Sequence, residues 1–221
     1  MTRRLFVGDI HGCADELQDL LDRFAFVPGT DRLFSVGDVI GKGPKALEAL
    51  NLLEKLGARV VLGNHDAHCL KGATLPETER TDRHREYLAS LGVEKDKWVA
   101  VMAAWPLFVE EPDILIVHAG LEPGLDHPSR MRRHVLINIR TWDGKGDDMK
   151  SESNPPWFEL ITFPKTVVFG HWAKRGLVDL PGFKGLDTGC VYGKFLTGWC
   201  PEENRFYNIP ARKAYATVFA D

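Results

Sequence analysis

Cysteine is scarce. The 221 residues hold four, Cys13, Cys69, Cys190 and Cys200, with no paired metal-type spacing. That excludes a disulfide scaffold and a thiolate metal cluster, and the four read as reduced thiols of a cytoplasmic protein. Cys13 is either an oxidation-sensitive thiol or simply a small residue at a helix start. No apolar run is long enough to span a bilayer, so no helical membrane segment is expected. No secretory leader is expected ahead of the first strand. A net charge of −3 gives no broad field for nucleic acid or a membrane surface. Internal repeats and low-complexity segments are absent, which argues against a solenoid or a linker. What remains is a chain with 44% apolar residues, ample for a core. It is read as one domain over residues 1–221.

Five short apolar runs each end in a metal-type ligand. Leu5-Phe6-Val7-Gly8 meets Asp9 and His11, and Leu33-Phe34-Ser35-Val36-Gly37 meets Asp38. Val60-Val61-Leu62-Gly63 meets Asn64 and His65, Ile114-Leu115-Ile116-Val117 meets His118, and Thr166-Val167-Val168-Phe169-Gly170 meets His171. Such runs between turn signals read as buried strands. In an open α/β sheet, ligands bind beyond the carboxyl ends of the strands. Five strands in one sheet and one direction would bring these residues to one point.

Between the first runs, Leu17, Leu20, Leu21 and Phe24 share a helical face, and Leu47, Leu50 and Leu53 share another after Pro44, placed in the first helical turn. Strand–helix alternation implies parallel pairing with right-handed crossovers. From about residue 67 to 105 the rhythm breaks. Dense charge precedes Trp98, Val101, Met102 and Trp105 at helical spacing, so a small helical insertion is expected, either a lid or a surface pair packed on the body. Phe108–Glu111 and Ile114–His118 read as neighbouring strands, residues 132–139 as a helix, and the glycine-rich last third as antiparallel hairpins closing a second sheet.

Asp9, His11, Asp38, Asn64, His118 and His171 mix carboxylate, imidazole and amide oxygen. That set suits manganese, iron or zinc, with cobalt and nickel as further candidates, better than calcium. Two cations require a bridging carboxylate, and Asp38 is the candidate because it stands between the other ligands. Such a pair acidifies a shared water and holds phosphoryl oxygens.

The segments Gly8-Asp9-Ile10-His11-Gly12, Gly37-Asp38, Gly63-Asn64-His65-Asp66, His118-Ala119-Gly120 and Gly170-His171 resemble, in order and spacing, the motifs of the calcineurin-like metallophosphoesterases. The branch they resemble holds the phosphoprotein phosphatases and the symmetrical diadenosine tetraphosphatases. The resemblance implies a two-sheet α/β sandwich flanked by helices, with a dinuclear centre at its edge. It implies Asp9, His11 and Asp38 on one metal, and Asp38, Asn64, His118 and His171 on the other. It also implies that His65 protonates the leaving oxygen, while Asp66 either orients His65 or caps the following helix.

Where the protein phosphatases resemble Gly-Asp-x-x-Asp-Arg-Gly, this chain reads Gly37-Asp38-Val39-Ile40-Gly41-Lys42-Gly43. The acid that orients the histidine in that family is replaced by Gly41, so His65 should be a weaker proton donor. A serine alkoxide needs a proton to leave, whereas a nucleoside diphosphate leaves as a stable anion. Gly41 therefore points to a phosphoanhydride. Gly63-Asn64-His65-Asp66-Ala67-His68, Phe169-Gly170-His171-Trp172-Ala173 and Leu186-Asp187-Thr188-Gly189-Cys190 look like the tetraphosphatase forms, and Leu62 stands where the protein phosphatases usually carry a phosphate-binding arginine. Lys42 and Arg140 are candidate phosphate clamps, though Lys42 stands where both branches carry arginine, and Arg140 also reads as a surface residue. Trp172 reads equally as a platform for a base and as a core or rim aromatic. The expected substrate is a nucleotide of the diadenosine tetraphosphate type, with a phosphoprotein as the alternative and a capped RNA 5′ end chemically similar. A non-catalytic nucleotide or metal sensor would be expected only if a ligand were missing.

Overall fold

Leu5, Phe6 and Val7 are apolar on consecutive positions, so both faces of their strand must be covered. They form β1 (Arg4–Val7) and have no exposed surface. The computed structural model describes residues 2–217, and residues 1 and 218–221 of the expected domain lie outside the described residues. After β1 come α1 (Ala14–Phe24), β2 (Arg32–Ser35), α2 (Ala46–Lys55) and β3 (Arg59–Val60). β1, β2 and β3 are parallel neighbours, as strand–helix alternation requires. The α1 side chains Leu17, Leu20, Leu21 and Phe24 are all buried, and α2 buries Leu50 and Leu53. Pro44 does not open α2. The Lys45 N–H first donates to Gly12 O at 3.0 Å, and the helix begins one residue later.

The span after β3 is helical: α3 (Asn64–Thr74), α4 (Asp82–Ser90) and α5 (Lys95–Ala103). α5 buries Trp98 and Met102 in the same core as α1 and α2, and Trp105 lies just past its end. β4 (Phe108–Glu110) and β5 (Ile114–Val117) follow as an antiparallel pair. A single helical turn, α6 (Arg133–Leu136), stands where a helix to residue 139 was expected. Beyond its end the Asn138 carbonyl faces His171 Nε2, 3.0 Å away. The chain then runs through β6 (Thr166–Phe169), β7 (Val178–Leu180), β8 (Phe183–Gly185), β9 (Phe195–Cys200) and β10 (Arg205–Pro210).

Two sheets result, in orders β10-β9-β1-β2-β3 and β4-β5-β6-β8-β7. The five ligand-bearing strands are therefore divided, three in the first sheet and two in the second, and do not share one sheet. The last third also departs from expectation. β7 and β8 do form an antiparallel pair in the second sheet, but β9 and β10 return to the first. β9 pairs with the open edge of β1, Val7 opposite Gly198. A Cβ on Gly198 would lie 2.9 Å from Leu5 Cδ1, so glycine there leaves room for the Leu5 and Leu20 side chains.

The sheets pack face to face through Phe6, Phe34 and Trp199 on one side and Val109, Ile114, Ile116 and Val168 on the other. Phe6 stacks on Phe34 with ring centroids 4.8 Å apart. The opposite face of the first sheet is covered by α1 and α2, and on that of the second Phe169 and Phe183 pack under Trp157 and Phe158. At the strand starts, Arg4 reaches Asp113 at 2.5 Å, and Arg32 and Arg59 both reach Glu111 at 2.6 Å. The strands therefore start under ion pairs that cross the seam and end at the ligand residues. Phe6→Ala is expected to lower the unfolding free energy by about 3–5 kcal/mol, read in urea melts, because the ring is wholly buried between the sheets.

Candidate metal centre and phosphate cavity

Asp9 and His11 follow β1, Asp38 follows β2, and Asn64 and His65 open α3 just beyond β3. His118 follows β5, and His171 follows β6. All of these sequence-predicted ligands come together across the seam between the sheets. His11, Asp38 and His65 offer ligand atoms within 4.8 Å of one another, and so do Asp38, His118 and His171. Asp38 belongs to both groups. The backbone is bent to achieve this. Among the described residues, six non-glycines have positive φ, and four are His11, Asp38, Lys42 and His171, at 48°, 51°, 65° and 70°. Such conformations are costly and cluster at functional sites.

Asp66 supplies the restraint. Its carboxylate accepts backbone N–H bonds from Asp38 at 2.8 Å, Val39 at 3.2 Å, Ile40 at 3.3 Å and Gly63 at 3.1 Å. It both caps α3 and ties the loop after β2 to that helix. Burial and the Asp38 carboxylate push the Asp66 carboxyl up to about 7, against the pull of the N–H donors. Asp66 does not orient the His65 ring. The group at His65 Nδ1 is the Tyr87 hydroxyl, 2.5 Å away.

Hydrogen bonding fixes which ring nitrogens face the centre. A carbonyl only accepts, so His118 Nδ1, 2.8 Å from Val36 O, must carry the proton. The same holds for His171 Nε2 at 3.0 Å from Asn138 O, and for His11 Nδ1 at 3.2 Å from Ile40 O. In the neutral rings the remaining nitrogens are lone pairs. Burial, the leading cause, pushes His118 and His171 below the usual imidazole range, which keeps them neutral. His118 Nε2 and His171 Nδ1 both face Asn64 Oδ1, each at 2.9 Å. Three lone pairs thus converge where no proton is available. Asp38 Oδ2 lies 3.5 Å from His118 Nε2 and 3.7 Å from His11 Nε2, and Asp9 Oδ2 lies 3.9 Å from His11 Nε2. These separations are too long for hydrogen bonds and suit atoms sharing a cation. Burial, then Asp187 and Asp38, raise the Asp9 carboxyl well above its ordinary range. A cation would relieve that repulsion. The donor set fits divalent metal.

A cavity of about 410 Å³ opens over the cluster. Lys42, Arg140 and Trp172 line it, as the sequence suggests. Lys42 Nζ sits 2.5 Å from Tyr192 OH. Arg140 Nε is buried without a protein partner, the state expected of a donor awaiting an anion. Trp172 both lines the cavity and packs on the second core, so its wall and rim readings coexist. Sequence reasoning missed Arg83, Lys150, Asp187, Tyr192 and Lys194 on the same walls. Asp187 lay in a quoted motif without a role, and the others carry no local signal. Cys13 meets Cys190 and Glu16 away from the cavity, all three buried.

Gly170 passes so close to Asp9 that a Cβ would strike its Oδ1, with Val36 Cγ2 only 2.7 Å away. Gly170→Ala is expected to push Asp9 aside and weaken manganese binding about 10–100-fold by calorimetric titration, in a chain that still melts cooperatively.

The sequence profile of the calcineurin-like phosphoesterases matches residues 2–205. A symmetrical bis(5′-nucleosyl)-tetraphosphatase of Vibrio parahaemolyticus is 32% identical, with 86% of this chain and 92% of that protein covered. That alignment runs over 249 residues, more than this chain has, so the relative carries insertions absent here. One of Aromatoleum aromaticum is 30% identical over 94% of this chain and 96% of its own length. A crystal structure of a candidate diadenosine tetraphosphatase superposes with a TM-score of 0.84 at 32% identity, covering 95% of this chain and 94% of that one. The strand-end cluster therefore has a family to match its chemistry: this chain belongs to the calcineurin-like phosphoesterases and is a metal-dependent hydrolase.

Proposed function

We propose that the chain hydrolyses dinucleoside polyphosphates, cleaving diadenosine tetraphosphate symmetrically to two ADP. The observation that carries this reading is the cavity wall. Lys42, Arg83, Arg140, Lys150, Lys174 and Lys194 all line the space over the Asp/His cluster. A single phosphoryl group does not need six cationic side chains, whereas a chain of four phosphates does. The names of the similar proteins from Vibrio parahaemolyticus and Aromatoleum aromaticum support the same substrate class.

In this reading Asp9, His11 and Asp38 hold one Mn²⁺, and Asp38, Asn64, His118 and His171 hold a second. Bound there, the cations supply a nucleophilic water at neutral pH and neutralise charge on the phosphoryl oxygens. Arg140 and Lys42 bind phosphate oxygens beside the cluster. Arg83, Lys150, Lys174 and Lys194 reach the remaining phosphates, and Trp172 offers a face to a base. His65 donates a hydrogen bond to the oxygen that departs with ADP. Its Nδ1 meets a phenol, not a carboxylate, and burial holds the ring below the usual imidazole range, so the carboxylate support that would favour a phosphoprotein is not at Nδ1. The four described cysteines are free and buried, which suits a reducing compartment, and we place the reaction in the cytoplasm. No helix among the described residues is long and apolar enough to cross a membrane.

Initial rates with manganese on diadenosine tetraphosphate and on a phosphotyrosine peptide test the substrate. ADP as sole product, at far higher kcat/KM than the peptide, is expected. Faster turnover of the peptide would overturn the reading. Arg140→Ala is expected to raise KM for the tetraphosphate about 10–100-fold, the equivalent of about 1.5–3 kcal/mol for a charge-assisted hydrogen bond, with metal content unchanged.

A further inference from the structure

We infer that Tyr87 is the positioning residue for His65, held in the space that Gly41 leaves open. This rests on the reading of His65 as the residue that assists departure. Tyr87 stands on α4, 22 positions beyond His65, and is 2% exposed. Its hydroxyl lies 2.5 Å from His65 Nδ1, and the two rings are 5.7 Å apart. Gly41 creates the space. A Cβ at residue 41 would lie 2.7 Å from Tyr87 Cζ and 2.9 Å from its hydroxyl. Any side chain at residue 41, an acid included, would expel the phenol from the position that it fills.

The phenol fixes how the imidazole is turned. With Nδ1 held at the Tyr87 hydroxyl, Nε2 faces the cavity, on the side of Asp38 Oδ2, 3.9 Å away. His11 meets the ring edge-on at 4.7 Å. When the P–O bond breaks, its electron pair stays on the departing oxygen, and the held Nε2 is the ring atom aimed at it. Leaving groups that depend most on this assistance therefore depend most on Tyr87. The helical span thus contributes to the chemistry through one hydroxyl.

Aryl phosphates test the pair without relying on a nucleotide. Manganese-loaded wild type, Tyr87→Phe, His65→Ala and the double variant are compared on phenyl phosphate, a poor leaving group, and on 2,4-dinitrophenyl phosphate, a good one. Tyr87→Phe is expected to lower kcat about 10-fold on phenyl phosphate and about 2-fold on the dinitrophenyl ester, with KM unchanged, as loss of hydrogen-bond assistance predicts. In the His65→Ala background, Tyr87→Phe is expected to have no further effect, because the two act as one unit. Equal losses on both esters, or losses that multiply in the double variant, would overturn the inference. If Tyr87→Phe does not fold, Gly41→Ala, which displaces the phenol from the other side, must show the same dependence on leaving group. A uniform loss there would equally overturn it. Failure to cleave diadenosine tetraphosphate would sink the substrate reading and leave this comparison intact.

Discussion

One carboxylate fixes the geometry of the centre. Asp66 is buried and gathers four backbone N–H groups, three from the loop after β2 and one from the start of α3. Those bonds hold Asp38 in a left-handed conformation that its backbone alone would avoid. Asp38 in turn accepts the His65 N–H at 2.9 Å and faces both histidine groups. Without the clamp, the residue shared by the two groups has no reason to stay where it is. An acid that touches none of the proposed chemistry thus determines whether the candidate ligands can assemble.

The sandwich supplies the other half of the constraint. The first sheet brings Asp9, His11, Asp38 and the start of α3, and the second brings His118 and His171. Neither sheet holds a complete set. Asn64 Oδ1 meets one nitrogen from each of the second-sheet histidines, so it forms the link across the seam. At the far end, Arg4, Arg32 and Arg59 bind Asp113 and Glu111 across the same seam. The aromatic packing of Phe6, Phe34 and Trp199 lies between. Alignment of the lone pairs is therefore a property of how the two sheets dock.

The candidate ligands could be picked out in the sequence because strand ends are punctuated. Each apolar run stops at a glycine or a histidine, and the sharp turn that places the ligand leaves its mark beside it. The division of the strands between two sheets was not legible, because β1 and β5 read alike as buried runs, and pairing is decided by distant partners. β9 joined the first sheet through Gly198, a residue that sequence reading could only take as a break in a hairpin. The helix expected to residue 139 ends at Leu136, and the Asn138 carbonyl beyond it meets His171, a distant partner that no local window displays. Tyr87 lay in a charged helix with no motif around it, and only the space above Gly41 reveals it. The cationic walls of the cavity come from six scattered positions, so no window of sequence displays them.

The contact between Gly41 and Tyr87 also constrains how a lineage can move between substrates. An aspartate introduced at residue 41 meets the phenol at 2.7 Å and sits at a φ of +91° that suits glycine. Removal of the tyrosine first leaves a buried imidazole nitrogen unpartnered. Either order passes through an impaired intermediate, so the two positions are epistatic. Substitution at residue 41 is limited by the phenol, and substitution of the phenol by the imidazole that it meets, so the two residues change most easily together.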